Sequence, residues 1–249
     1  MTQTRAINRR RLLISGAGAA FLPLTRTAIA ATENPVVVEL FTSQGCSSCP
    51  PADAFVTELR KMKGVVALTY HVDYWDYLGW QDTLGSAENS RRQYDYAKSR
   101  GDMDVYTPQM IVNGRKHVVG SEKPAVLAAI AEARQDAPAV SLKLSATDTE
   151  LVADIAAGAP MGDTTLWLMP IVSEIKVKIL KGENASEEIA YHNVVTELVP
   201  AGMWDGKAKQ FALPKAGVLA PGSTGCVALL QQGMVGPILA CAIWGSAAA

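Results

Sequence analysis

Cys46 and Cys49 are separated by Ser47 and Ser48 and followed at once by Pro50 and Pro51. Two thiols at this spacing close a small ring, and a ring that opens and closes is the chemistry of thiol–disulfide exchange. Ahead of the pair runs Val36-Val37-Val38-Glu39-Leu40-Phe41, a short β-branched stretch suited to a buried strand, broken by Thr42-Ser43-Gln44-Gly45. Behind it, two prolines that a first helical turn tolerates lead into Ala54, Phe55, Leu59 and Met62 at roughly helical spacing. The cysteines therefore belong at a strand-to-helix junction, where free N–H groups and the positive end of the helix dipole favour a thiolate. The expectation is an exposed, attacking Cys46 and a resolving Cys49 one turn into the helix. A static disulfide is the plain alternative. Zinc would need two more ligands, and no second CxxC or histidine pair lies nearby, so no metal is assigned.

The elements that must position this pair follow in order. Residues 65–72 read as a second buried strand, giving a βαβ unit with parallel neighbours, and Asp73-Tyr74-Trp75-Asp76-Tyr77-Leu78-Gly79-Trp80 as an aromatic and acidic loop. Residues 87–100 form a second helix, with Ser86 as its N-cap and Gly101 as its stop. Asn113-Gly114 between two apolar runs, 110–112 and 116–119, signals a hairpin. A last helix opens at 121–124 and runs to about 135, burying Val126, Leu127, Ile130 and Ala131. Ser90-Arg91-Arg92 reads as a solvated helix face, and His117 and His192 as surface residues.

This order, with Cys46, Cys49, Thr107 and Pro108, resembles the minimal thioredoxin fold. The resemblance implies a cis bond before Pro108, with Thr107 and Pro108 offering backbone to an extended substrate beside the sulfurs. It also implies a buried acid beneath the disulfide, and Glu39, seven residues before Cys46, stands close to that place as a proton relay. His71 ends its strand near the expected active-site face. With Trp75 and the loop around it, His71 either lines a substrate groove or packs as core. Residues 39–53, 71–80 and 106–114 are similar, more narrowly, to an exported thioredoxin-like family of unknown function that carries a C-terminal β domain.

Beyond Pro138 the pattern turns to short alternating strands and turn-rich links, which suggests a β-sandwich. A two-residue turn centred on Gly233-Met234 would set Cys226 opposite Cys241, as a structural disulfide or, less simply, a second redox pair.

At the other end, Arg9-Arg10-Arg11-Leu12-Leu13 and Ala28-Ile29-Ala30 mark an export signal resembling the twin-arginine type, too short in its apolar part to span a bilayer. Cleavage after Ala30 removes five of 23 basic residues and no acid, leaving 18 against 24, a net charge of −6. That balance argues against nucleic acid as a partner. The expected organisation is a signal peptide at 1–30, an α/β thioredoxin-like domain at 31–137 and an all-β, sandwich-like domain at 138–249.

The expected protein is an exported thiol–disulfide oxidoreductase, periplasmic or secreted. It acts on protein or small thiol substrates with an unidentified redox partner, no cofactor beyond its own disulfide and no membrane span in the mature chain. Two alternatives stand beside it: a metallochaperone holding copper through Cys46, Cys49 and His71, and a binding module without catalysis.

Overall fold

The computed structural model describes Met1 and residues 35–136, 140–159 and 161–246. All but the first residue of the expected export signal, and residues 137–139 at the expected domain boundary, lie outside the described residues.

Strands β1 (Val36–Thr42) and β2 (Val65–His71) are buried along their whole length and pair in parallel, Val36 with Val65 through Thr42 with His71. Parallel neighbours need a crossover, and helix α1 (Pro50–Leu59) supplies it, with its prolines in the first turn. Helix α2 (Ala87–Arg100) starts where the Ser86 hydroxyl accepts the Asn89 N–H and stops at Gly101, whose φ of +78° suits a residue without Cβ.

Strand β3 (Gln109–Val112) runs antiparallel to β1 and turns through Asn113 and Gly114, both at positive φ, into β4 (Lys116–Val119). Helix α3 (Lys123–Ala133) buries Val126, Ala129 and Ile130; Leu127, which is 41% exposed, and Ala131, both expected inside, lie outside this narrow buried stripe and face solvent.

The chain continues as β5 (Leu142–Ala146), β6 (Glu150–Ile155), a 15-residue β7 (Thr164–Lys178), β8 (Glu188–Val195), β9 (Val199–Met203), β10 (Lys209–Pro214), β11 (Gly225–Gln232) and β12 (Ile238–Gly245). These do not form a separate sandwich. The large mixed sheet has the order β12-β11-β7-β8-β2-β1-β3-β4, with β9 on β7, and a second sheet has the order β10-β6-β5.

The sheet therefore runs across the boundary expected at 137/138, and the described residues from 35 onward belong to one compact unit instead of two. The join is β8 against β2. Thr69 pairs with Val194 in parallel, the Thr69 hydroxyl donates to the His192 carbonyl at 2.8 Å, and the Asn193 amide donates to the Ala67 carbonyl at 2.9 Å. Sheet-on-sheet packing does occur, at one end only. There Leu142, Leu151, Ala153 and Ile155 meet Leu166, Leu168, Ala228 and Leu230.

Cys226 and Cys241 are free, buried thiols. The link from β11 to β12 is longer than a two-residue turn, and the register sets Cys226 opposite Trp244 and Cys241 opposite Leu229. The two sulfurs consequently sit in different cores, on opposite faces of the sheet. Burial pushes the Cys226 thiol up to about 12 and raises that of Cys241 further, so both are unreactive.

Candidate active site around the Cys46–Cys49 disulfide

Cys46 and Cys49 are joined by a disulfide, with Cα atoms 5.4 Å apart. The local chain dictates this. The Ser43 hydroxyl accepts the Gly45 N–H, the Ser43 carbonyl accepts the Cys46 N–H at 3.1 Å, and the Cys46 carbonyl accepts the Cys49 N–H at 3.2 Å. Cys49 is the N-cap of α1 and so stands at its threshold, not one turn inside. The pair lies at the helix's positive end, as expected.

Cys46 is only 5% exposed and Cys49 not at all, while Ser47 and Ser48 face solvent. The expected exposure of Cys46 is thus corrected, and the reason is the link between β7 and β8. Its Asn184 amide donates to the carbonyls of both Gln44 (2.9 Å) and Cys46 (3.0 Å), and the Glu183 carboxylate accepts the Ser47 N–H at 3.3 Å. Neither residue carries a local signal for this role, because their partners lie about 140 residues away.

The Thr107–Pro108 bond is cis. A methyl group placed on Gly120 would meet Ala52 Cβ of α1 at 3.1 Å and Pro108 Cβ at 3.3 Å, which fixes Pro108 beside the cysteine helix. On the other side, a methyl on Gly45 would meet Trp75 Cβ at 3.2 Å. The Trp75 indole N–H donates to the Thr107 hydroxyl at 2.7 Å, and its ring lies over Tyr77, which is 76% exposed. The structure therefore brings Cys46, Cys49, Trp75, Thr107 and Pro108 into one neighbourhood.

Glu39 is not part of it. Side chains alternate along β1, so Glu39 shares a face with Val37 and Phe41, whereas Leu40 and Thr42 face α1. The Glu39 carboxylate accepts from Arg92 Nε at 2.9 Å and from the Tyr96 hydroxyl, and Gln231 donates to that hydroxyl at 2.7 Å. Arg92, expected in solvent, is thereby buried as the ion-pair partner that holds α2 on the sheet. His192 is buried as well, its Nδ1 accepting from Arg60 at 2.8 Å, and His117 is half-buried against the Tyr106 hydroxyl.

His71 does face α1, and it heads a group that periodicity could not reveal. Its Nδ1 lies 2.9 Å from Asp82 Oδ2, which also accepts the Gln44 N–H at 2.8 Å. Its ring meets Tyr191 of β8 edge-on, with centroids 4.4 Å apart. Asp53 of α1 completes the group, one turn after Cys49 and on the same helix face, its N–H donating to the Cys49 carbonyl at 3.1 Å.

Both Asp53 carboxylate oxygens, the Thr42 hydroxyl, His71 Nε2 and the Tyr191 hydroxyl are buried without a hydrogen-bond partner. Burial pushes the Asp53 carboxyl up to about 7 against the lowering influence of the neighbouring His71. Asp82 goes the other way: burial raises it, but His71 and the N–H groups of Gln44 and Leu84 together hold it below the usual carboxylate range. Two neighbouring carboxyls thus differ in charge preference near neutral pH. Among the described residues, no three His, Cys, Asp or Glu are grouped to hold a metal ion, and no helix is long and apolar enough to cross a membrane.

Fold and site together define a mixed α/β protein with a CxxC disulfide at a strand-to-helix junction. The chain belongs to the family described as protein of unknown function DUF1223, whose model matches residues 37–231. It is similar to a crystal structure of protein AGR_C_4864 from Agrobacterium tumefaciens, at 35% identity and a TM-score of 0.72, over 86% of this chain and 96% of that one. It shares its fold with HBP35 of Porphyromonas gingivalis at 14% identity and a TM-score of 0.59, over 86% and 75% of the two chains. No curated protein matches the sequence.

Proposed function

We propose that this chain is an extracytoplasmic thiol–disulfide oxidoreductase. The observation that carries the reading is the Cys46–Cys49 disulfide at the threshold of α1, beside the cis Thr107–Pro108 bond. The order β2-β1-β3-β4, with α1 opening at the cysteines, supports a thioredoxin-like reading of the first half. Cys46 is the sulfur attacked: of the two it keeps the only exposed surface, and its electron-pair partner Cys49 is sealed from water. An incoming thiolate bonds to Cys46 Sγ, the Cys46–Cys49 bond breaks, and the electron pair stays on Cys49. In the return step Cys49 attacks Cys46 and releases the substrate. Pro108 and Thr107 present backbone to that substrate, and Trp75 with Tyr77 lines its approach.

Single-cysteine variants test the assignment. Incubated with oxidised glutathione, the Cys49→Ser protein should retain one glutathione on Cys46, seen as a mass increase that dithiothreitol removes. Cys46→Ser should retain little or none under the same conditions. Equal labelling of both variants, or labelling of neither, contradicts the roles given to the two sulfurs.

A further inference from the structure

Buried polar atoms without partners are rare, and five of them gather on the α1 side of the sheet: Thr42 Oγ1, Asp53 Oδ1 and Oδ2, His71 Nε2 and the Tyr191 hydroxyl. Thr42 and His71 are direct neighbours across the β1–β2 ladder, and Tyr191 packs on the His71 ring from β8. Such a group is costly to bury for structure alone, because each unpaired atom forfeits its bonds to water. Asp53 follows Cys49 by one helical turn, its N–H on the Cys49 carbonyl, so the group shares a helix face with a sulfur that has a proton problem. Cys49 is fully buried, so when the disulfide opens, the electron pair left on its sulfur has no water to draw a proton from. Glu39, where a resemblance would place the acid, is committed to Arg92 on the opposite face.

We propose that Asp53 is the proton donor and acceptor for Cys49, within a buried group that His71, oriented by Asp82, completes. This rests on the exchange reading above. As the incoming sulfur bonds to Cys46 and the Cys46–Cys49 bond breaks, the Asp53 carboxyl gives its proton to Cys49 Sγ and is left as a carboxylate facing the Thr42 hydroxyl and His71. In the reverse step the carboxylate takes the proton from the Cys49 thiol, the freed sulfur attacks Cys46, and the substrate leaves as a thiolate. The groups that face Asp53 are Cys49 on its own helix, Thr42 from β1, His71 from β2, Tyr191 from β8 and Asp82 from the loop after β2. Burial holds the Asp53 carboxyl near 7, where it can both give and take a proton. Tyr191 closes the group from the C-terminal half, which ties the two halves of the chain to one reaction.

The test is reduction of the full oxidised chain by dithiothreitol, followed by stopped flow from about pH 5.5 to 9, with rates expressed per dithiothreitol thiolate. The wild-type rate should bend downward near pH 7 as Asp53 loses its proton. Asp53→Asn should be at least about tenfold slower below the bend and lose the bend itself, and Asp53→Glu should recover part of both. Asp82→Asn should move the bend without abolishing it. An Asp53→Asn profile that keeps the bend, whether at full or uniformly reduced rate, overturns the proton role and leaves exchange standing. A wild-type disulfide that dithiothreitol does not open at any pH overturns the exchange reading, and the proton role with it.

Discussion

Asp53 has a consequence for stability that is separable from catalysis. Folding moves its carboxyl from 3.8 to about 7, chiefly through burial, so the native state binds the proton more tightly than the unfolded chain. A group raised in this way favours the fold fully below about pH 3.8 and loses that contribution as pH rises through about 7. The difference is worth about 4 kcal/mol. Asp53→Asn should therefore match the wild type in urea stability near pH 4, gain on it steadily up to about pH 7, and stay ahead by a few kcal/mol above that. A pH-independent difference contradicts the burial of an ionisable carboxyl at this position.

The same residue shows where sequence reading stops. The Cys46–Cys49 pair at a strand-to-helix junction was legible because its signals are local: a spacing, a pair of prolines, a break in an apolar run; Thr107 and Pro108 were marked only by the resemblance to the thioredoxin fold. Asp53 is one acidic residue in an amphipathic stretch, and only its neighbours from β1, β2 and β8 give it meaning. Glu39 was misplaced by the two-residue alternation of a strand, which sends it to the face of Phe41 and away from the sulfurs.

Among the elements, the helices and the hairpin follow their local signals closely. Ser86 caps α2, and Asn113-Gly114 turns β3 into β4. The long β7 and the β7–β8 link could not be read in this way, because their roles depend on contacts far along the chain.

That link carries an element-scale prediction. Asn184 ties it to the carbonyls of Gln44 and Cys46, so Asn184→Ala leaves the buried Gln44 carbonyl unpaired, removes one of the two bonds to the Cys46 carbonyl and loosens the cover over Cys46. The cost should be about 1–3 kcal/mol in denaturant unfolding. In the reduced protein, Cys46 should also react several-fold faster with iodoacetamide, read by peptide mass mapping. An unchanged alkylation rate contradicts the view that this link shields the sulfur.

For the molecule as a whole, the sequence showed the composition of both halves but not their union. Alternating strands after residue 138 indicate β structure, and nothing in their pattern says that β8 will pair with β2. That union depends on Thr69, His192 and Asn193, three polar residues with no local signature. The same union brings Tyr191 of β8 onto the His71 ring and sets the link before β8 over Cys46.

The central claim is that Cys46 and Cys49 form a working redox couple and not a structural staple. The most direct measurement is the reduction potential of this pair, by glutathione-buffer titration with mass-spectrometric thiol counting in a Cys226→Ala/Cys241→Ala background. The account predicts a reversible couple between about −120 and −270 mV, the range of known thiol catalysts. A pair that stays oxidised until well below about −300 mV would contradict it and mark a structural disulfide.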